Sequence, residues 1–248
     1  MVKITKRSAL VNQYQHWFEY RFNWSSVILP CSYYGIRKES IKGFYFGIRT
    51  HTQTVVLCLL PSVENLYAAF STSHKRYIKK AEASGVYCYT NHDRAGFIKF
   101  YNDFAKSKGL YTLDLKNLQQ FEEDKWLYSY AVSGNQIVAA HSYMQDKKLG
   151  IVRLMESGSL RLDENFDPGK VAQANKLLHY FDIKYFKEKG FSEYDFGGWD
   201  NIPGLLEFKQ SFGAMPIPIY NYLSFSYFFR KESGKIYQSV KQRLLTAL

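Results

Sequence analysis

One stretch, residues 170–214, constrains the fold more than any other part of the chain. Its first apolar side chains recur at spacings of three and four, which predicts an amphipathic helix: Val171, Ala174, Leu178, Phe181 and Tyr185. Gly190 then predicts the end of this helix, because glycine adopts a positive φ without strain. A short strand, residues 193–196, leads to a glycine pair, and a second helix is predicted over 203–212. Helix, strand, glycine turn and helix form half of an α/β layer.

The glycine turn is where the sequence predicts a ligand site. The strand ends in Asp195-Phe196-Gly197-Gly198, and α/β sheets bind ligands at the carboxyl ends of their strands. Two adjacent glycines indicate a positive φ or a close approach of the backbone to a ligand. Asp195 has two interpretations, since it either caps the turn through backbone N–H groups or serves as a base or anchor for an amine. Trp199, next to Asp200, either stacks on a sugar face or covers the core.

The middle of the chain predicts a helix followed by a sheet. Ser62 is the expected N-cap of a helix over 62–84, with residues 71–73 as a point of interruption. From Trp126 the hydrophobic period changes to two, and three segments separated by turn residues predict an antiparallel meander: WLYSYAV, QIVAAHSYM and LGIVRLM. A meander that feeds a helix and then a parallel strand indicates a mixed α/β sheet.

Four further segments give weaker predictions. An amphipathic helix is predicted over residues 8–22, and two strands are predicted around Thr50-His51-Thr52 as a hairpin. Another short helix is predicted over 114–124, and a basic amphipathic helix over 228–248.

Length and composition predict one large globular domain or one domain with an extension. The chain has 248 residues, of which 46% are hydrophobic and 22% are charged, a balance typical of a folded protein. We place the boundary so that 1–60 form an N-terminal extension of helix, loop and strand hairpin packed on the main domain. The main domain then comprises 61–248, including the basic C-terminal helix.

The charge favours anionic ligands. The net charge of +11 indicates affinity for nucleic acid, anionic lipid or phosphorylated substrates. Three cysteines without C-x-x-C spacing favour a reducing compartment and argue against zinc and a disulfide framework. The N-terminus lacks an apolar signal-peptide core, and no apolar run approaches eighteen residues. We therefore expect a cytoplasmic protein, with peripheral contact to an anionic membrane through the basic C-terminal helix.

Two segments carry a resemblance to a known family. NKLLHYFDIKYFKEKGFSEYDFGG and GLLEFKQSFGA resemble the C-terminal half of the GNAT acyltransferase fold, and more narrowly its Fem-type branch, which includes peptidoglycan-bridge aminoacyl transferases. The similarity covers residues 61–223. It implies an α/β (α+β) fold with a mixed, mostly antiparallel central sheet flanked by helices.

The resemblance implies transfer of an acyl group from acyl-CoA, as acetyl-CoA or a longer form, to an amine. The acceptor would be a small amine or amino sugar on a cell-envelope or surface-polysaccharide precursor. No metal is expected, and no Cys/His or Ser/His pair indicates a covalent intermediate. The Arg/Gln-x-x-Gly-x-Gly/Ala loop of GNAT enzymes is missing, and Asp167-Pro168-Gly169-Lys170 stands in its place. Two alternatives stay open: a transferase that uses aminoacyl-tRNA, and a non-catalytic binding protein.

The resemblance also implies site residues. The donor-binding residues would be Arg153, Leu154, Gly169, Lys170, Phe196, Gly197 and Gly198. The substrate-binding residues would be Lys75, Arg76, Lys79, Asn175, Trp199, Asp200 and Lys209. The catalytic candidates are Asp195, Glu156 and His141.

Most of these residues also have an ordinary structural interpretation. Glu156, at a strand end, is either a general base or a solvated carboxylate, and His141 is either a proton carrier or a hydrogen-bonded strand residue. Lys209 matches the lysine of the family's Phe-Lys segment, so it would bind a phosphate or an oxyanion; alone, it would be a surface charge. The cluster of cations at 75–80 is either a docking surface for phosphate or a solvated helix face.

Overall fold

The computed structural model describes residues 2–6, 12–18, 29–37, 47–114 and 123–229. The chain divides into two compact units, one formed by residues 1–52 and 218–248 and the other by 53–217. The domain boundary predicted at residue 60 stays a prediction.

The described residues of the first unit form mainly strands. They are β1 (Val2–Lys6), β2 (Gln13–Trp17), β3 (Cys31–Ile36), the first part of β4 (Gly47–Cys58) and the second part of β10 (Met215–Ser224), and residues 225–229 are helical. β2 pairs antiparallel with β1 and parallel with β3, and β3 pairs antiparallel with β10. A small core of Cys31, Tyr33, Ile36 and Tyr222 lies beneath these strands.

Two predictions in this part of the chain are wrong. Residues 13–17, expected within a helix, form β2, because strands on both sides supply its hydrogen bonds. The hairpin expected around Thr50-His51-Thr52 is one continuous strand, β4 (Gly47–Cys58). No glycine, proline, asparagine or aspartate stands at 50–52 to form the tight turn that a hairpin needs.

The second unit contains a mostly antiparallel sheet in the order β4-β9-β8-β7-β6-β5. Its other strands are β5 (Tyr87–Asn91), β6 (Trp126–Ser133), β7 (Gln136–Asp146), β8 (Ile151–Ser159) and β9 (Glu193–Asp195). Within this sheet, β8 and β9 are parallel. The pairs β4/β9, β5/β6, β6/β7 and β7/β8 are antiparallel. This confirms the predicted meander and the mixed sheet.

Five helices accompany this sheet: α1 (Val63–Ala69), α2 (Thr72–Ala83), α3 (Arg94–Ser107), α4 (Pro168–Glu188) and α5 (Pro203–Gln210). α4 packs on β6 and β7 and against α2, whereas α3 packs on β7 and β8. The apolar stripe of α4 is buried in two adjoining cores, with Leu178 and Phe186 fully covered. Within the described ranges, none of the helices is long and apolar enough to cross a membrane.

The helix boundaries follow the expected local chemistry. Ser62 caps the N-terminus of α1. Ser71 caps the N-terminus of α2, so α1 and α2 are separate helices and the predicted interruption at 71–73 is confirmed. Gly190 follows α4 with φ +82°, as the sequence predicts. Most of the helix predicted over 114–124, and nearly all of the one predicted over 228–248, lie outside the described residues.

Candidate functional site

The turn after β9 holds its shape through Asp195, which is fully buried. Its Oδ1 accepts hydrogen bonds from Thr54 Oγ1 and from the Gly197 backbone N–H, the latter at 2.7 Å. Its Oδ2 lies 2.6 Å from Arg153 Nη1, an ion pair between neighbouring strands. Gly197 has φ +77°, a conformation that favours glycine. The carboxylate is thus engaged in holding the turn and the guanidinium.

Lys209 closes the same turn from α5. Its Nζ donates to the carbonyl oxygens of Phe196 at 2.8 Å, Gly197 at 3.1 Å and Gly198. The side chain is 5% exposed, and burial, helped by Arg153, lowers its pKa to about 8. Lys209 is therefore no surface charge, and its three N–H groups are directed at three consecutive carbonyls.

Beside this turn, β8 has an open edge. The parallel pairing of β8 with β9 covers only Ile151 to Arg153, the last paired with Asp195. β8 continues to Ser159 with β7 on its other side. None of the described strands pairs with residues 154–159 along the edge that β9 leaves. An unpaired strand edge can pair with another extended segment.

Glu156 lies on this open length of β8. The register shifts so that Ser142 faces Glu156 and Tyr143 faces Leu154, which makes Met155 the extra residue of a β-bulge. The Glu156 backbone N–H donates to Ser142 Oγ at 3.1 Å, and Tyr111 Oη donates to Glu156 Oε1. Burial raises the pKa of the Glu156 carboxyl. The hydrogen bonds from Tyr111 and Tyr101 act in the opposite direction but have a smaller effect, so the pKa stays above its ordinary value. A half-buried carboxylate with a raised pKa suits proton acceptance.

A buried polar network lies between α4 and the sheet. Asp182 Oδ2 accepts from Tyr143 Oη at 2.6 Å and lies 2.8 Å from His141 Nδ1. Tyr143 Oη is 2.6 Å from Tyr194 Oη, which is 3.1 Å from His179 Nδ1. All five side chains are at most 2% exposed. The network therefore links two strands, β7 and β9, with α4 by polar contacts inside the core.

Burial fixes the protonation of much of this network. It raises the pKa of Tyr143 and Tyr194 well above the usual phenol range, with the Asp182 charge adding to the effect. It also lowers the pKa of His179 well below its ordinary value, with His141 as the next cause. The phenols are thus neutral donors and His179 is a neutral imidazole at physiological pH.

His141 and Asn175 were predicted from the sequence as site residues, whereas Tyr143 and Asp182 were not. His141 Nε2 lies 3.0 Å from Asn175 Oδ1. Asn175, His179 and Asp182 are spaced by four and three residues, which places them on one face of α4 among apolar side chains. That helical spacing of polar residues within an apolar stripe was the available signal.

Three members of the network could in principle ligate a metal. Donor atoms of His141, His179 and Asp182 lie within 4.8 Å of one another. However, the hydrogen bonds above already use both nitrogens of His141, Nδ1 of His179 and Oδ2 of Asp182. Asp182 Oδ1 is buried without a hydrogen-bond partner among the described residues. The expectation of no metal stays a prediction.

The cations of α2 form a separate surface. Lys75, Arg76, Lys79 and Lys80, with Thr72 and Ala83, line an open depression of about 510 Å³. Lys75 Nζ also donates to the Ala68 carbonyl at 3.0 Å. Four cations around one depression give a positive surface that can attract anions.

The start of α4 is less open to an anion than the sequence suggested. Asp167 caps the helix, and its Oδ1 accepts from Gly169 N at 2.7 Å and from Lys170 N at 3.3 Å. Its carboxylate occupies the backbone donors that a phosphate would need at this helix start. Gly169 and Lys170 remain predicted donor-binding residues.

No family model and no curated protein sequence matches this chain. Solved structures do match it. FemX superposes with a TM-score of 0.63 at 12% identity, over 92% of this chain and 85% of FemX. This chain has the FemX fold.

Two further structures agree with the FemX match. The C-terminal domain of a putative lysylphosphatidylglycerol synthetase from Agrobacterium fabrum has a TM-score of 0.58 at 9% identity, over 89% of this chain and 80% of that one. L-PGS from Bacillus licheniformis has a TM-score of 0.52 at 14% identity, over 79% and 68%. The predicted resemblance to the Fem-type branch is confirmed at the level of the fold.

Within the FemX fold, the predicted residues fall into separate groups. Arg153, Asp195, Gly197 and Lys209 meet at one turn, through the contacts described above. Glu156 lies farther along β8 with Tyr111.

Other predicted residues surround these groups. His141 and Asn175 belong to the buried network, and the cations of α2 form their own surface. Trp199 packs against the main core, whereas Asp200 is exposed with φ +47°.

Proposed function

We propose that this chain is an acyltransferase that moves an acyl group from acyl-CoA to an amine on a cell-envelope or surface-polysaccharide precursor. The observation that carries the proposal is the open edge of β8, residues 154–159, which lies next to the glycine turn and carries Glu156. The FemX-like fold supports it.

The open edge suits a donor whose arm contains amide groups. An extended arm such as pantetheine can add to an exposed strand edge through backbone hydrogen bonds. Residues 154–159 would provide that edge, and Phe196 to Gly198 would lie against the other side of the arm. Gly198 is exposed and has no side chain to obstruct the approach.

Glu156 would accept the proton of the acceptor amine. The neutral amine attacks the thioester carbonyl, so a C–N bond forms while the carbonyl becomes a tetrahedral oxyanion. Collapse of this intermediate breaks the C–S bond, and the thiolate of coenzyme A takes up a proton. The raised pKa of the Glu156 carboxyl makes its carboxylate a stronger base than an ordinary glutamate. Direct transfer needs no nucleophilic side chain.

The first experiment measures donor binding. Acetyl-CoA at about one hundred times its dissociation constant should stabilise the fold by roughly 2.7 kcal/mol in urea unfolding. Longer acyl-CoAs are compared in the same way. No stabilisation by any acyl-CoA would contradict the donor assignment.

The second experiment measures transfer as thiol release from acetyl-CoA with a panel of amines and amino sugars. Glu156→Gln should lower turnover about a hundredfold while the dissociation constant of acetyl-CoA changes little. Glu164→Gln, a change at an exposed glutamate in the loop before α4, is the matched control. Equal turnover in both variants would exclude Glu156 as the base.

A second candidate is transfer from aminoacyl-tRNA, as in other Fem-type proteins. The cationic surface of α2 favours it, because a row of cations suits a phosphodiester backbone. A triple variant, Lys75→Gln, Arg76→Gln and Lys79→Gln, should weaken tRNA binding and flatten its salt dependence. Unchanged tRNA binding in the triple variant would leave the α2 cations as a solvated face.

A further inference from the structure

A lysine on α4 lies between two aromatic rings and makes no ion pair with a carboxylate among the described residues. Lys176 Nζ is 4.7 Å from the centre of the Tyr77 ring and 5.6 Å from that of Phe208. Burial lowers the pKa of Lys176, and the nearby Arg161 lowers it further. The Lys176 ammonium group is therefore partly desolvated, and it lies near a second positive charge, that of Arg161.

Two more cations lie on elements that pack against this part of α4. Arg161 belongs to the 3-10 turn Leu160–Leu162, which packs against α4. The Arg76 guanidinium carbon lies 5.3 Å from the centre of the same Tyr77 ring that Lys176 contacts. In the part of the chain that the structure describes, none of these three cations makes an ion pair with a carboxylate.

The charge of Lys176 has no counter-charge among the described residues. A half-buried ammonium usually has a counter-charge, because desolvation without one is unfavourable. Contact with an aromatic face offsets about 0.5–2 kcal/mol of that cost but neutralises no charge. The effect of Lys176 also reaches inward, since it lowers the pKa of both His74 and His179. A bound anion would relieve all of these interactions together.

We propose that Lys176, Arg161 and Arg76 bind the diphosphate or phosphate group of a small phosphorylated ligand. Ammonium and guanidinium groups donate strong, charge-assisted hydrogen bonds to phosphate oxygens. Three cations match the charge of a diphosphate better than that of a carboxylate. The rings of Tyr77 and Phe208 exclude water from one side, which strengthens the attraction.

The proposal concerns binding and does not depend on Glu156 or on turnover. The phosphate could come from the acyl-CoA donor or from a nucleotide-sugar acceptor. Only Arg76 is shared with the cationic surface of α2, so the Lys176 position can be tested separately.

Calorimetry with inorganic pyrophosphate is the direct test. Lys176→Met should raise the dissociation constant of pyrophosphate at least about tenfold, which equals about 1.4 kcal/mol. Lys176→Arg should restore most of the affinity, because it keeps the charge. The matched control is Lys184→Met, since Lys184 also lies on α4 with its Nζ 4.4 Å from a tyrosine ring, that of Tyr180. Lys184→Met should bind pyrophosphate like the unmodified protein.

Competition then identifies the source of the phosphate. Displacement of pyrophosphate by acetyl-CoA assigns the position to the donor, and displacement by a uridine diphosphate sugar assigns it to the acceptor. Displacement by neither, no binding of pyrophosphate, or equal affinities in Lys176→Met and Lys184→Met would each overturn the proposal. Absence of acyl transfer would affect the proposed function but none of these binding results.

Discussion

The buried ring of His74 should make the stability of this protein fall between pH 6.5 and about pH 4. His74 is 5% exposed, and its ring packs edge-on against Phe212 with the centres 4.5 Å apart. Its Nδ1 lies 3.1 Å from Ser71 Oγ, and its Nε2 is buried without a partner. Burial, assisted by the charge of Lys176, lowers the pKa of His74 from 6.5 to about 4.

The sign follows from the proton count. Above pH 6.5 the ring is neutral in both the folded and the unfolded chain, so His74 causes no pH dependence. Between pH 6.5 and about 4 the unfolded chain binds a proton that the folded chain excludes, so the free energy of unfolding falls with falling pH. At about 1.4 kcal/mol per pH unit, the loss over this window is about 3 kcal/mol.

Urea unfolding at about pH 7.5 and about pH 4 measures this loss. The unmodified protein should lose about 3 kcal/mol more than His74→Gln, which cannot titrate in this range. His51→Gln is the control, because His51 is exposed in β4, and it should behave like the unmodified protein. An equal loss of stability in the unmodified protein and in His74→Gln would refute the reasoning.

Three further predictions concern the glycine turn. Asp195→Asn should lower the free energy of unfolding by about 3 kcal/mol, because it removes the fully buried carboxylate that pairs with the partly buried Arg153; double-mutant analysis with Arg153→Gln measures the coupling, and additivity would contradict it. Gly197→Ala should cost about 1–2 kcal/mol because of its φ of +77°, whereas Gly198→Ala should cost little, since its added Cβ would only contact the Gln53 carbonyl oxygen at 3.6 Å; equal melting temperatures would count against this difference. Lys209→Met should cost about 3 kcal/mol in urea unfolding by depriving three carbonyls of their donor, and a fully stable variant would argue against it.

The local pattern of the sequence determined most of the second unit. The stripe of α4, the meander and the serine caps depend on residues a few positions apart, whose spacing is set by helix or strand geometry. The same pattern placed the glycine turn at the end of β9 and selected Asp195, Glu156 and Lys209 as residues of interest. Their proposed roles in binding and catalysis stay predictions.

Predictions from the sequence were wrong or missing where the interacting residues lie far apart in the chain. β2 was predicted as part of a helix, because the spacing of its aromatic side chains carries no information about the strands that pair with it on both sides. The Arg153–Asp195 pair joins residues 42 positions apart, and the Thr54–Asp195 hydrogen bond joins residues 141 apart. Arg76, Lys176 and Arg161, which make no ion pair with a carboxylate among the described residues, likewise come from α2, α4 and the turn before α4. Local spacing fixes which face of an element a side chain occupies, but only the packing of elements decides which charges meet and which lack a partner.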